Sequence, residues 1–321
     1  MRSVATAILA IAAIFICHVP APAQDYPSRS IHLTVPVAAG GGMDTLARLI
    51  AAKYGGALGV PIVVDNRPGG AENIGISQIA RAEPDGYSLL LSSNSITINP
   101  SLYKDLAYDA NKDLTPIGKV TVMPIVVATL APAPNKTLSD LIAYAKANPR
   151  KLSYGTPGVG TPHHLGMELL KSEAGIELLH VPYRGTAPGL TDLLAGNIGL
   201  LISTITPIQS YLDSGQLHAI ATFSPKRLAQ YPAIPTASET FPGFNVEIWH
   251  GVFAPSMTPA IIRDKLTEKL SAVMKDEELI KQLNGVGILT SWEAPEELRA
   301  EIPKEQAQWA SAIKQAGITG E

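Results

Sequence analysis

Short β-rich runs that end in a glycine-rich turn and reopen as a helix recur along this chain, and that alternation limits the fold more than any other feature. Ile31 to Pro36 alternates as a strand does. VPVAAGGGMDTLAR (Val35 to Arg48) then passes through three consecutive glycines into Leu46, Leu49 and Ile50 at helical spacing. NRPGGAENIG (Asn66 to Gly75), YGTPGVGTPHH (Tyr154 to His164) and PYRGTAPG (Pro182 to Gly189) repeat the order strand, turn, helix. YSLLLSS, NIGLLIS and LHAIATFS supply further strands, and Asn94 to Leu102 and Pro207 to Leu212 read as helices. Such alternation predicts parallel sheets with crossover helices. No repeat of fixed period accompanies it.

Two longer extended segments break the rhythm, Pro116 to Pro132 and Phe244 to Pro255, both apolar and both bracketed by prolines. They read as paired strands crossing between two lobes, with hinge strands near 117–128 and 245–254. A chain that crosses twice must return, so lobe 1 is expected to hold residues 24–122 plus 255–321 and lobe 2 residues 123–254. The closing helices, near Pro259 to Met274, Asp276 to Leu283 and Pro295 to Ile318, carry apolar residues three and four apart, as helices packed on a sheet do. A chain of 321 residues exceeds one ordinary domain and can bury two cores.

Residues 1–23 place Arg2 before an apolar run from Val4 to Cys17 and an A-x-A pattern at Ala21 to Ala23, the form of a cleaved export leader. The run is shorter than the roughly 20 apolar residues of a membrane span, and bulky Ile16 before Cys17 does not suit lipid attachment. The single cysteine lies inside this leader, so the exported chain has no disulfide. Without Arg2 the chain carries 24 basic against 28 acidic residues, a net charge near −4. With no basic run and few aromatics, nothing attracts nucleic acid.

The glycine turns carry the chemistry. Glycine admits positive φ and close approach of a ligand to the backbone, and free N–H groups at a helix start present partial positive charge to an anion. In open α/β sheets such turns lie at the carboxyl ends of the strands, where ligands bind. Two turns fall in each lobe, which describes a cleft. Adjacent His163 and His164 point about 100° apart on a helix and lack an acidic or cysteine cluster, so no metal is expected. Asp44 and Arg48 fit an i, i+4 ion pair at a helix start. An exported α/β enzyme is the alternative class. The chain has no G-x-S-x-G or G-x-x-x-x-G-K-[ST] motif, so neither an enzyme nor a cofactor is expected.

The four turns, with PDGYSLL (Pro84 to Leu90), YDANKDLTPIG, LIAYAKANP, HVPYRGTAPGLTDLLAG, IPTASETFPGF and the Trp249 to Pro255 stretch, resemble the Bug-type substrate-binding receptors of tripartite tricarboxylate transporters. The resemblance runs in order along nearly the whole exported chain. It implies a two-lobed α/β periplasmic-binding-protein (Venus flytrap) fold, each lobe a mostly parallel sheet flanked by helices. It further implies a monomeric periplasmic receptor that takes a small organic carboxylate to membrane permease subunits, without catalysis, cofactor or metal. A sensor feeding a signalling partner would share this fold.

By position, the first carboxylate loop falls on Val37, Ala38, Ala39, Gly40, Gly41 and Asp44, and the second includes Gly70 and Asn73. The third includes Ser92, Ser93 and Asn94. The opposite lobe offers Tyr154, Thr156, Gly160, Thr161 and His164, then Tyr183, Arg184, Gly185, Thr186 and, in the next strand, Ser203. Two departures stand out: Val37-Ala38-Ala39 replaces a bulkier Phe-Pro-Ala, and an aspartate pair frequent in the family aligns with Gly199 and Ser203. A smaller wall and fewer carboxylates point to a dicarboxylate or aromatic carboxylate ahead of an amino acid.

Overall fold

The computed structural model describes residues 26–318; the expected leader lies outside them. Strands β1 (Ile31–Val35), β2 (Ile62–Asn66) and β3 (Ser88–Ser93) pair in parallel in the order β2-β1-β3. Each feeds a helix across a turn: α1 (Gly42–Leu58), α2 (Asn73–Ala80) and α3 (Ser95–Leu102). After α4 (Ala110–Asp113), β4 (Leu114–Leu130) runs for 17 residues. There follow α5 (Leu138–Ala147), β5 (Ser153–Thr156), α6 (Pro162–Ala174), β6 (Leu179–Pro182), α7 (Thr186–Leu194), β7 (Leu200–Thr204), α8 (Gln209–Asp213) and β8 (Leu217–Thr222). The chain then returns through β9 (Glu247–Pro255), α9 (Ala260–Val273), α10 (Glu277–Gly285), β10 (Leu289–Glu293) and α11 (Pro295–Ala316).

β4 belongs to both sheets. Its first part pairs antiparallel with β9 and β10 beside β3, and its last part pairs antiparallel with β7 and β8 beside the parallel set β6-β5-β7. The paired long segments foreseen in the sequence are β4 and β9, matched from Leu114 with Pro255 to Pro124 with Glu247.

The registers fix where the strand ends meet. Ser93, the last residue of β3, is level with His250, which is level with Thr121 of β4. Thr204, the last residue of β7, is level with Ile125 of β4. Four residues of β4, about 13 Å at 3.3 Å per residue, therefore separate the carboxyl ends of the two parallel sets. The ends face one another across the middle of one strand.

Packing follows the sequence pattern. Leu46, Ile50, Tyr54 and Leu58 on one face of α1 are buried with Leu266 and Leu270 of α9, and Tyr54 donates its hydroxyl to Leu266 O at 2.9 Å. Each such aliphatic side chain contributes about 1.5–3 kcal/mol by leaving water, so the returning C-terminal helices hold the first sheet together.

Three local readings change. The helix foreseen over Pro207 to Leu212 splits into a 3-10 turn, Thr206–Ile208, and α8, because Pro207 occupies the first turn. β4 runs through Pro116 and Pro124 instead of starting at a proline, with a register shift between Pro116 and Gly118 that absorbs the missing donor. β10 was not foreseen: LTSWE is half-exposed and takes its strand form from β4.

Candidate functional site

The first turn is rigid beneath and open above. Ala38, Ala39, Gly40 and Gly41 are exposed, while Asp44 is buried and its Oδ2 accepts the Gly40 N–H at 2.9 Å. Arg48 Nε donates to the same oxygen at 3.0 Å, and Asn66 Nδ2 donates to Asp44 Oδ1 at 3.0 Å and to Val37 O at 3.1 Å. Burial alone would raise the Asp44 pKa, but these bonds outweigh it and hold the carboxyl below its ordinary range. Asp44 is thus the anchor of the turn. Gly40 needs its φ of +88°, and Gly41, the residue before α1, has no side chain capping the helix. A Cβ built on Gly41 would meet only Ala38 O, at 3.9 Å. The space over the turn is free for a ligand.

The second turn crosses the end of β1 to reach β3: Gly75 packs so closely on Pro36 that a Cβ there would lie 2.8 Å from the Pro36 side chain. Gly69, Gly70, Ala71 and Glu72 have successive φ values of 130°, 55°, 51° and 76°. Asn99 Nδ2 holds this turn through Ala71 O at 2.8 Å and Asn73 Oδ1 at 2.7 Å, and the Tyr108 hydroxyl donates to the same Asn73 oxygen at 2.8 Å. Glu72 extends its carboxylate to the start of α3. There it accepts from Ser93 Oγ at 2.8 Å, Ser95 Oγ at 3.0 Å and Ser92 Oγ at 3.2 Å. Burial raises its pKa against the opposing effect of those hydroxyls. Asn94 turns away from this group and donates to Glu247 O at 3.1 Å.

On the opposing sheet, Tyr183 N donates to Thr156 O at 2.9 Å and Gly185 N to Pro157 O at 3.0 Å, so the two turns lie side by side. Gly185 (φ 104°) opens α7 without a side-chain cap, next to half-buried Thr186 and exposed Arg184. α6, by contrast, is capped by Thr161, whose hydroxyl accepts from His164 N and donates to Gly158 O. His164 Nδ1 accepts the Gly160 N–H at 3.1 Å, and its ring stacks on His180 at 3.9 Å between centroids. Burial pushes both imidazoles down to about 4, so both are neutral at pH 7. Thr156 is buried and bonded to His180, and Tyr154 is buried with its hydroxyl donating to Glu168. The Tyr183 hydroxyl donates to Asp192 at 2.6 Å. Gly160 meets the other sheet directly: a Cβ on it would lie 2.3 Å from Leu102 Cδ1 at the end of α3.

The structure therefore gathers Val37 to Gly41 and Gly70 to Asn73 on one side, with Ser92 and Ser93 buried against Glu72, and Gly160, Thr161 and Tyr183 to Thr186 on the other. Tyr154, Thr156 and His164 form a layer beneath the second set. Ser203 is fully buried and donates to Thr204 O at 2.8 Å. Of the two positions that align with the aspartate pair of the family, Gly199 lies away from the gathered turns. Gly199 precedes β7, at the strand end opposite Thr204, and a Cβ there would strike Leu152. Trp249 is buried, its indole donating to Glu305 Oε2 at 2.8 Å. Among the described residues no group of three or more His, Cys, Asp or Glu is arranged to hold a metal.

Glu72 was missed in the sequence. Its signal was a lone acidic residue inside a glycine-rich turn, but only the crossing of β1 reveals which hydroxyls it meets.

The family model for the tripartite tricarboxylate transporter family receptor matches residues 46–318. Among solved structures, the periplasmic binding protein BugD is 36% identical with a TM-score of 0.83, covering 92% of this chain and 100% of its own. Rpa4515 of R. palustris with adipate is 33% identical with a TM-score of 0.85, covering 92% of this chain and 100% of its own. MatC from Rhodopseudomonas palustris with bound malate is 30% identical with a TM-score of 0.80, covering 90% and 100%.

Proposed function

The chain belongs to the tripartite tricarboxylate transporter receptor family, and from that premise we propose that it is a monomeric periplasmic receptor that closes on one organic carboxylate and delivers it to membrane permease subunits. The observation that carries this reading is the opposition of two helix starts without side-chain caps. Gly41 before α1 and Gly185 before α7 follow β1 and β6, members of the two parallel sets whose carboxyl ends, at Ser93 of β3 and Thr204 of β7, face each other across four residues of β4. Main-chain N–H groups and helix dipoles stabilise an anion without a formal counter-charge.

The magnitudes require both sides. Micromolar binding needs about 8 kcal/mol, whereas one helix start supplies about 0.3–1 kcal/mol when exposed and about 2 when partly buried. Closure of the lobes, hinged on residues 117–128 and 245–254, excludes water and adds the second set of donors. The small wall at Val37, Ala38 and Ala39 leaves room for a dicarboxylate or an aromatic carboxylate. The adipate and malate carried by two relatives agree with the carboxylate class. A thermal-shift screen of carboxylates, followed by small-angle scattering with the best ligand, tests the reading. Compaction on saturation is expected; unchanged dimensions at saturation contradict it.

A further inference from the structure

We propose that Glu72 sets the charge of the solute: its own carboxylate occupies the hydroxyl-lined seat at the start of α3, so the cleft takes monocarboxylates and turns dicarboxylates away. The inference rests on the carboxylate reading above and narrows it: of the two ligand classes the wall leaves room for, it keeps the aromatic carboxylate and drops the dicarboxylate. The seat consists of three buried serine hydroxyls at the end of β3 beside a helix start, donors of the kind that hold a carboxylate. Each hydroxyl has a single proton to give, and those of Ser92, Ser93 and Ser95 lie 3.2, 2.8 and 3.0 Å from Glu72 oxygens. Ser93 N adds a longer contact at 3.5 Å.

No Lys, Arg or His forms an ion pair with Glu72 among the described residues, so its charge is balanced by dipoles alone. β3 is the direct neighbour of β1. The seat and the open first turn thus lie at the ends of strands about 4.8 Å apart, within the span of one small molecule. A second carboxylate arriving there meets a like charge and finds its donors taken. The backbone supports the same role: Ala71 and Glu72 are at positive φ, a costly conformation for residues with a Cβ, and Asn99 bonds Ala71 O while Asn99 and Tyr108 bond the side chain of Asn73 next in the chain.

Hexanoate and adipate test this directly, because they share a six-carbon chain and differ by one terminal carboxylate; benzoate serves as the aromatic monocarboxylate. Isothermal titration of the exported chain is expected to give at least tenfold tighter binding of hexanoate or benzoate than of adipate. In Glu72→Gln the ratio of adipate to hexanoate affinity should rise at least thirtyfold. Glu72→Gly, which suits the local φ of 76°, provides the same comparison if the glutamine variant folds poorly. Adipate binding to the natural chain as tightly as hexanoate, or an unchanged ratio in a folded variant, overturns the role of Glu72 alone. Failure of every carboxylate in a wider library to bind any of these proteins overturns the receptor reading and this inference with it.

Discussion

Asp44 holds Gly40 from within the protein: the Asp44 carboxylate, almost wholly buried, accepts the Gly40 N–H at 2.9 Å and so presents the rest of the turn outward. The only charge in the first loop is consumed in shaping it. What remains for a ligand is main chain.

Asp44→Ala leaves the Gly40 N–H without its acceptor and takes one partner each from Asn66 and Arg48, and should cost about 2–3 kcal/mol of stability, measured by urea unfolding, with weaker ligand binding as the turn loosens. The lowered native pKa gives the sign with pH. The contribution of Asp44 is present above the unfolded carboxyl pKa and is lost as pH falls through the native value, below about pH 4. In Asp44→Ala that acid-side loss should shrink.

Gly41→Val separates binding from folding. The Gly41 φ of −84° suits any residue and its added Cβ meets only Ala38 O, so melting should change little while carboxylate affinity falls at least tenfold. Gly75→Ala should do the reverse, since its Cβ would collide with Pro36 at 2.8 Å beneath the turn. A thermal melt and a titration on each variant check the pair.

Acidification should weaken the fold through buried histidines. Burial lowers His164 and His180 to about 4 and His163 and His250 to about 3. The unfolded chain, with histidine near 6.5, binds more protons between these values. Stability should therefore decline as pH falls from about 6.5 toward 4. Both His163 ring nitrogens lack partners, so His163→Leu should be neutral or stabilising and should flatten that decline, read from melting temperatures at pH 7, 5.5 and 4.5.

Much of this architecture could be read from local pattern. The glycine turns were legible because each is short-range: a strand, a break and a helix start within about a dozen residues, as from Ile31 to Gly42. The pairing of β4 with β9 was legible because both are long and apolar. The passage of β4 through Pro116 and Pro124 was not, since local chemistry argues against proline inside a strand; a register shift opposite β9 accommodates Pro116, and Pro124 stands at the last position paired with β9. β10 escaped for the same reason: Leu289–Glu293 becomes a strand by finding the edge of β4. At the site, Asp44 was recognisable from its spacing to Arg48. Tyr154 looked like a cleft residue by position, yet its buried hydroxyl meets Glu168. Glu72 required knowing that the second turn crosses β1 to the serines of β3.

The central claim is that uncharged main-chain donors from two opposed sheets grip an anion, and calorimetry with matched neutral and charged ligands tests it most directly. The tightest carboxylate from the screen and its primary amide differ in charge but little in shape. The account predicts that the amide binds at least a hundredfold more weakly to the natural chain and that Gly41→Val narrows this gap. Equal affinity for the acid and its amide would contradict it.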